Sequence, residues 1–360
     1  MSTVHPHEVV VVTGAGAGLG RAIVSEFAKH GAWLGLVGRD RERLEDARRE
    51  IEGLGGRGLV IVGDVADPDV CETAAARAEG EFGPIDVWVN NAMVSVFSPV
   101  KEMQADEYRR VTEVTYLGYV YGTLAALHRM LPRDHGTIVQ VGSALAYRSI
   151  PLQSAYCAAK HAIVGFTSSL RTELLHDSSN VKVSMVQMPA MNTPQFSWVL
   201  SRLPRKPQPV PPIFQPEVGA RAVYDAAHRH PRELLVGWPT VKAVWGQKFF
   251  PGFLDHYLAR TGYDSQQYDG AANPDRPNNL WNSVPGPFGA HGSFDARSRD
   301  RSSELWVTTH LSSLAVGLSA LAGVVYLAVA GKQPLTWLER LVAGRRSRGL
   351  KALSRSLVKR

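Results

Sequence analysis

Tyr156 and Lys160 stand four residues apart in SAYCAAKHAIVGF, a run of small and apolar side chains that reads as a buried helix. At that spacing both lie on one helix face. A phenol, with a pKa of about 10, is a poor acid–base catalyst near neutral pH. An ammonium one turn away favours the phenolate and lowers that pKa. The pair could therefore move a proton on and off an oxygen. It could equally be a satisfied polar pair on a packed helix, and the two residues alone do not separate these readings.

A second group points to anion binding. VVVVTGAGAGLGRAI sets Gly14, Gly16, Gly18 and Gly20 between an apolar run and a helical pattern. A tight strand-to-helix turn, close backbone approach to a pyrophosphate and free N–H groups at a helix start all call for glycine here. Strand before and helix after is the context that favours a dinucleotide site over an ordinary turn. The next apolar run ends at Val37-Gly38-Arg39-Asp40. An acid at its end would accept from a free ribose 2′-hydroxyl, whereas an arginine would pair with a 2′-phosphate. Gly38 takes the acidic position and Arg39 follows, which favours NADP over NAD. Asp40 reads as the N-cap of DRERLEDARREI.

These residues need a frame. The runs 9–13, 33–37, 59–62, 87–90, 137–141, 181–186 and 233–238 are continuously apolar, as parallel strands covered on both faces should be. Helical patterns over about 19–30, 40–53, 69–81, 105–131, 155–176 and 216–229 alternate with them. That order predicts an α/β fold, a Rossmann-type doubly wound parallel sheet with helices on both faces. From Met188 to Pro216 eight prolines stiffen a long loop, with Trp198 and Phe214 in it; we read a lid over the open edge of a site. Residues 264–303, rich in Gly, Pro, Asn and Asp, lack periodicity and read as irregular surface. Leu311–Gly331 is free of charge, and a basic tail follows.

At 360 residues the chain can hold one large α/β domain with an extension. Its net charge of +7 is a property of the tail: residues 332–360 hold nine Lys/Arg and one acid, leaving the preceding chain near neutral. No general nucleic-acid surface is expected. The two cysteines, Cys71 and Cys157, lack ligand spacing, the twelve histidines likewise, so neither a disulfide framework nor a metal site is expected. The N-terminus has no leader pattern. A reducing, cytoplasmic setting follows. The 311–331 run is long enough to span a bilayer, and the cationic segment after it suits an anionic membrane surface. A single span with the tail inside would put the dinucleotide domain outside; a re-entrant or surface-lying helix, or one docked on another subunit, avoids the conflict, and membrane association through 305–360 is the expectation.

Taken together, Thr13-Gly14-x3-Gly18-x-Gly20, Asp64 after the third strand, Asn90-Asn91-Ala92, and Ser143, Tyr156 and Lys160 in that order resemble the short-chain dehydrogenase/reductase family over roughly residues 8–240. The resemblance implies a nicotinamide cofactor and a Ser143–Tyr156–Lys160 catalytic set. Tyr156 would exchange the proton, Ser143 would steady the same oxygen, and Lys160 would also hold ribose hydroxyls. Thr13, Gly14, Gly18, Leu19, Gly20, Arg39, Asp64, Val65, Asn91, Ala92 and Thr193 would meet the cofactor, with Asp64 and Val65 flanking the adenine and Thr193 the carboxamide. Asn90 would support the floor of the site.

Three positions depart from the family pattern. Met93 replaces the glycine of Asn-Asn-Ala-Gly, Met188-Pro189 stands for Pro-Gly, and Thr115 takes the place of an asparagine that anchors a relay water. Thr115 is carried as a fourth catalytic position with an altered relay. The family likeness also implies a homo-oligomer through helices 105–131 and 155–176.

The domains are then 1–262 (catalytic), 263–304 (irregular extension), 305–331 (apolar helix) and 332–360 (basic tail). The expected activity is NADP(H)-dependent interconversion of a carbonyl and an alcohol on an apolar small molecule. The alternative is a catalytically weak cofactor-binding scaffold or sensor that works through its extension.

Overall fold

The computed structural model describes residues 7–273 and 275–309. Seven strands form one sheet: β1 Val9–Thr13, β2 Trp33–Gly38, β3 Arg57–Val62, β4 Val87–Asn90, β5 Thr137–Ser143, β6 Lys182–Met188 and β7 Glu233–Leu235. Their order is β7-β6-β5-β4-β1-β2-β3, every pair parallel. The order reverses at β1, where a doubly wound sheet opens a crevice beyond its strand ends. Along β1 the valines alternate between two cores. Val10 and Val12 pack with Ile23, Phe27 and Val223 on one face; Val9 and Val11 pack with Ala74, Trp88 and Ala125 on the other. A strand buried on both faces must be apolar throughout, which is why its sequence does not alternate.

The helices are α1 Gly18–Lys29, α2 Arg41–Gly53, α3 Pro68–Phe82, α4 Ala105–Thr112, α5 Gly118–Met130, α6 Ser154–His176, α7 Pro216–Arg229, α8 Gly237–Phe249 and α9 Pro251–Thr261. Asp40 caps α2, accepting from the Arg43 N–H at 3.1 Å. One expectation holds with a local change and one needs correction. The helix expected over 105–131 is helical from Ala105 to Met130 but carries a π turn at Glu113–Leu117, where the Thr115 hydroxyl is bonded to both backbone groups of Val94. The strand over 233–238 stops at Leu235: Gly237 turns the chain at φ +77° and Pro239 sits in the first turn of a helix.

The lid and the extension are stitched together. Arg205–Pro207 pairs antiparallel with Gln267–Ala271, and Ile213–Phe214 pairs with Ser298–Arg299. The extension is not loose surface, since Leu280 and Phe294 are buried. Residues up to Leu305 form one unit. Ser303–Thr309 is a short helix, and the rest of the 305–331 segment with the 332–360 tail lies outside the described residues. Among the described residues no helix is long and apolar enough to cross a membrane.

Candidate active site

The turn after β1 carries Gly14 at φ +71° and Gly18 at φ +59°, conformations that disfavour any β-carbon. At Gly20 a β-carbon would overlap the Gly14 carbonyl oxygen. The turn is held from below. Thr13 Oγ1 accepts from the Asn91 and Ala92 N–H groups at 2.9 and 3.1 Å, and Asn91 Nδ2 donates to the Thr13 carbonyl at 2.9 Å. Thr13 thus braces the loop rather than lining the cleft above it, while Gly14, Gly18, Leu19, Gly20, Asn91 and Ala92 line that cleft. Asn90 is fully buried and donates to Gln140 and Thr123, which ties the floor to α5.

At the end of β2, Arg39 meets the extension. Its guanidinium donates to the backbone carbonyls of Asn279 (2.7 Å), Trp281 (3.0 Å) and Leu280 (3.5 Å), and lies 3.8 Å from Asp64. Asp64 is also paired with Arg110 of α4, whose Nε donates to the Leu280 carbonyl at 2.9 Å. Beside them Arg43 lies over the rings of Trp198 and Phe288, 5.0 and 5.8 Å from their centres. Residues 279–289 therefore form a strap across this end of the cleft. The strap reaches the phosphate turn itself, where the Gly18 N–H donates to the Gly289 carbonyl at 2.9 Å. The Leu19 and Gly20 amides, in the first turn of α1, have no earlier helical carbonyl to donate to. Val65 packs under Gly118, and Thr193 sits beside the Gly18 turn.

Ser143 ends β5, and Tyr156 and Lys160 lie on the first two turns of α6; all three line the same cleft, whose volume is about 630 Å³. Ser143 and Lys160 are buried, Lys160 to 2% exposure, whereas Tyr156 keeps contact with the cleft. Lys160 Nζ donates to Tyr119 Oη (2.9 Å) and the Val141 carbonyl (2.7 Å), and Tyr119 in turn donates to Val141. Nζ lies 5.7 Å from the centre of the Tyr156 ring. Neither hydrogen-bond partner of Lys160 is charged, so burial dominates and lowers its pKa to about 7. Burial also raises the Tyr156 phenol above its ordinary range, against a hydrogen bond from Ser143 that favours ionisation. Burial thus opposes the charged form of both groups, Lys160 and Tyr156.

The short chain dehydrogenase family profile matches residues 8–201. The chain belongs to the short-chain dehydrogenase/reductase family. Members of this oxidoreductase family use nicotinamide cofactors. The chain is 30% identical to the uncharacterized oxidoreductase YxnA of Bacillus subtilis over 74% of its own length and 76% of that protein. It is 40% identical to mouse dehydrogenase/reductase SDR family member 7B, over 49% of the chain and 56% of that protein. With zebrafish 3-dehydrosphinganine reductase it shares 34% identity, over 52% of the chain and 58% of that protein. The chain thus spans just over half the length of the latter two.

The residues of the cleft fit a dinucleotide. The positive-φ glycine turn leaves room for a pyrophosphate, and Arg43 Nε is buried beside the cleft with no partner among the described residues. Of the departures, Thr115 is fully buried with its hydroxyl donating to the Val94 carbonyl (2.8 Å) and accepting from its N–H (3.0 Å). It holds the π turn against the loop after β4.

Several residues escaped sequence reasoning. Tyr119 sits on Lys160, but nothing in GYVYGT distinguishes it from its tyrosine neighbours. Gln187, an amide inside the apolar β6, was a legible oddity: its Oε1 accepts from the Ser143 N–H (2.7 Å) and its Nε2 donates to Glu233 (2.7 Å). Arg43, Arg110 and the 279–289 strap gave no local signal.

Proposed function

We propose that this protein interconverts a carbonyl and an alcohol on an apolar small molecule, with NADP(H) as cofactor and Tyr156 as acid/base. One observation carries the reading: the Ser143 hydroxyl, the Tyr156 phenol and the glycine turn open on one cleft. When bound there, the nicotinamide supplies hydride to the carbonyl carbon or takes it from the alcohol. Tyr156 gives its phenolic proton to the carbonyl oxygen in reduction and recovers one in oxidation. Ser143 donates a hydrogen bond to the same oxygen as negative charge builds on it. Gln187, bonded to the Ser143 backbone, keeps that hydroxyl aimed. Lys160, with its pKa near neutrality, is protonated readily when it takes ribose hydroxyls as partners, and its charge then favours the phenolate. Thr115 acts through its hold on Val94, not by touching substrate.

Arg39 after Gly38 and the nearby Arg43 favour a 2′-phosphate over a free hydroxyl. Leu145, Ile150, Val210, Leu254 and Leu258 on the substrate side of the cleft favour an apolar partner. A relative named 3-dehydrosphinganine reductase agrees with a ketone of apolar character. The second reading, a cofactor-binding scaffold or sensor, draws on the strap: Arg39 and the Gly18 amide are already engaged by extension carbonyls.

Titrating the full chain with NADPH and NADH by cofactor fluorescence, then screening apolar ketones with the wild type and Tyr156→Phe, tests both. Tighter NADPH binding, and turnover lost in the variant without loss of binding, support the proposal. Tight binding without turnover of any carbonyl favours the scaffold, and a variant that keeps wild-type turnover removes Tyr156 from the chemistry.

A further inference from the structure

Helices α8 and α9 follow one another with Phe250 between them, and they bury very little. Gly237 and Thr240 are the buried residues of α8, and α9 has none. Helices of this length are marginal in water without a packed face. The faces they do present are aromatic: Trp238 is 56% exposed, Trp245 49%, Phe249 61%, Phe250 65%, Phe253 69% and Tyr257 53%. The rings cluster in two groups. Trp245 stacks on Phe249 at 5.7 Å with Phe250 next to Phe249 at 6.4 Å, and Phe253 stacks on Tyr257 at 6.3 Å.

The charges around this patch are mostly positive. Lys242, Lys248 and Arg260 are exposed, with Lys248 Nζ 5.3 Å above the Trp245 ring. The acid on α9, Asp255, is exposed and pairs with Arg148 at 2.7 Å. The inner side of the same two helices walls the cleft through Ala243, Leu254 and Leu258, and Lys242 and Tyr257 stand at its rim. Trp, Tyr and Phe with flanking lysines suit the boundary between headgroups and acyl chains, where the rings sit in the apolar layer and the ammonium groups reach phosphates. The sequence beyond the described residues has the same chemistry, a charge-free run followed by a strongly basic segment.

We infer that the α8–α9 surface docks on an anionic lipid bilayer, so that the rim of the cleft faces the membrane. The docking surface does not depend on the hydride chemistry. That the bilayer delivers the substrate rests on the oxidoreductase reading above.

The test places an environment-sensitive NBD label at Phe253→Cys in the full chain. Cys71 and Cys157 are buried, which keeps labelling at the engineered position. The probe is vesicles of roughly three parts phosphatidylcholine to one part phosphatidylglycerol, against phosphatidylcholine alone. The label should brighten and shift to the blue on the anionic vesicles. Trp245→Ser with Phe249→Ser in the labelled chain, with its melting curve as fold control, should weaken vesicle binding about tenfold or more. A chain that floats with vesicles while the label stays unchanged overturns the inference and leaves binding to the tail. No vesicle binding overturns it too. So does a lipid-free dimer that the two serine substitutions dissolve in sedimentation velocity, since the patch would then cover a second copy.

Discussion

Lys160 offers the sharpest quantitative check. Its ammonium is buried against a phenol and a carbonyl, and its pKa falls to about 7 in the fold. In the unfolded chain a lysine titrates at about 10.4. Between those values the unfolded state holds a proton that the folded state has released. Stability must therefore rise with pH in this window, because it rises wherever the unfolded state binds more protons. Below pH 7 both states are charged and the slope vanishes. From pH 7 to about 9.5 the gain should be about 3 kcal/mol, at 1.36 kcal/mol per pH unit while the proton difference approaches one. Stopping there avoids the Tyr156 phenol, which titrates later and with opposite sign. Lys160→Met, which keeps the length and removes the titration, isolates the effect. Urea unfolding of wild type and variant at half-unit steps from pH 6 to 9.5 gives the difference curve. It should be flat near pH 6 and then climb in favour of the wild type. A difference curve flat across the whole range would mean that Lys160 stays charged in the fold, and burial would not be the dominant influence on it.

Three further outcomes follow from the geometry. Thr115→Val strands the Val94 N–H and carbonyl and should cost about 2 to 4 kcal/mol in urea unfolding, with Thr115→Ser restoring most of it; equal stability of wild type and Thr115→Val would deny the hydroxyl its hold on the π turn. Arg110→Ala removes the closer partner of Asp64 and the closer donor to the Leu280 carbonyl, so residues 279–289 should become more sensitive to limited proteolysis; unchanged cleavage would mean that the strap is held elsewhere. Burial pushes the Cys71 thiol up to about 12, so at pH 8 the native chain should resist a thiol reagent at this position and react on unfolding, read by mass spectrometry of the labelled peptide.

The helices α8 and α9 show where periodicity fails as a guide. Their apolar residues point both into the cleft and outward, so no single stripe marks a helix, and Pro239, Gly246 and Pro251 read as breaks. The sheet suffered no such ambiguity: strands buried on both faces leave unbroken valine runs, and the order of runs and amphipathic stretches fixes a parallel, doubly wound arrangement. The π turn inside the 105–131 helix was hidden for another reason. It keeps helical composition, and the bonds that meet it run from Thr115 to Val94 in a different loop.

The places of residues in short local patterns could be read directly. The glycines between β1 and α1, Arg39 after Gly38, Ser143 at a strand end and Tyr156 a turn from Lys160 are short-range patterns, and each lies where its spacing implied. What those groups meet is long-range. Arg39 bonds to carbonyls about 240 positions further on, Gly18 to Gly289, and Ser143 to Gln187 from another strand. The charge on Lys160 is the clearest case. Its identity and helix face come from the chain, but its pKa comes from being sealed beneath Tyr119 and Val141, and desolvation exists only once the core has closed.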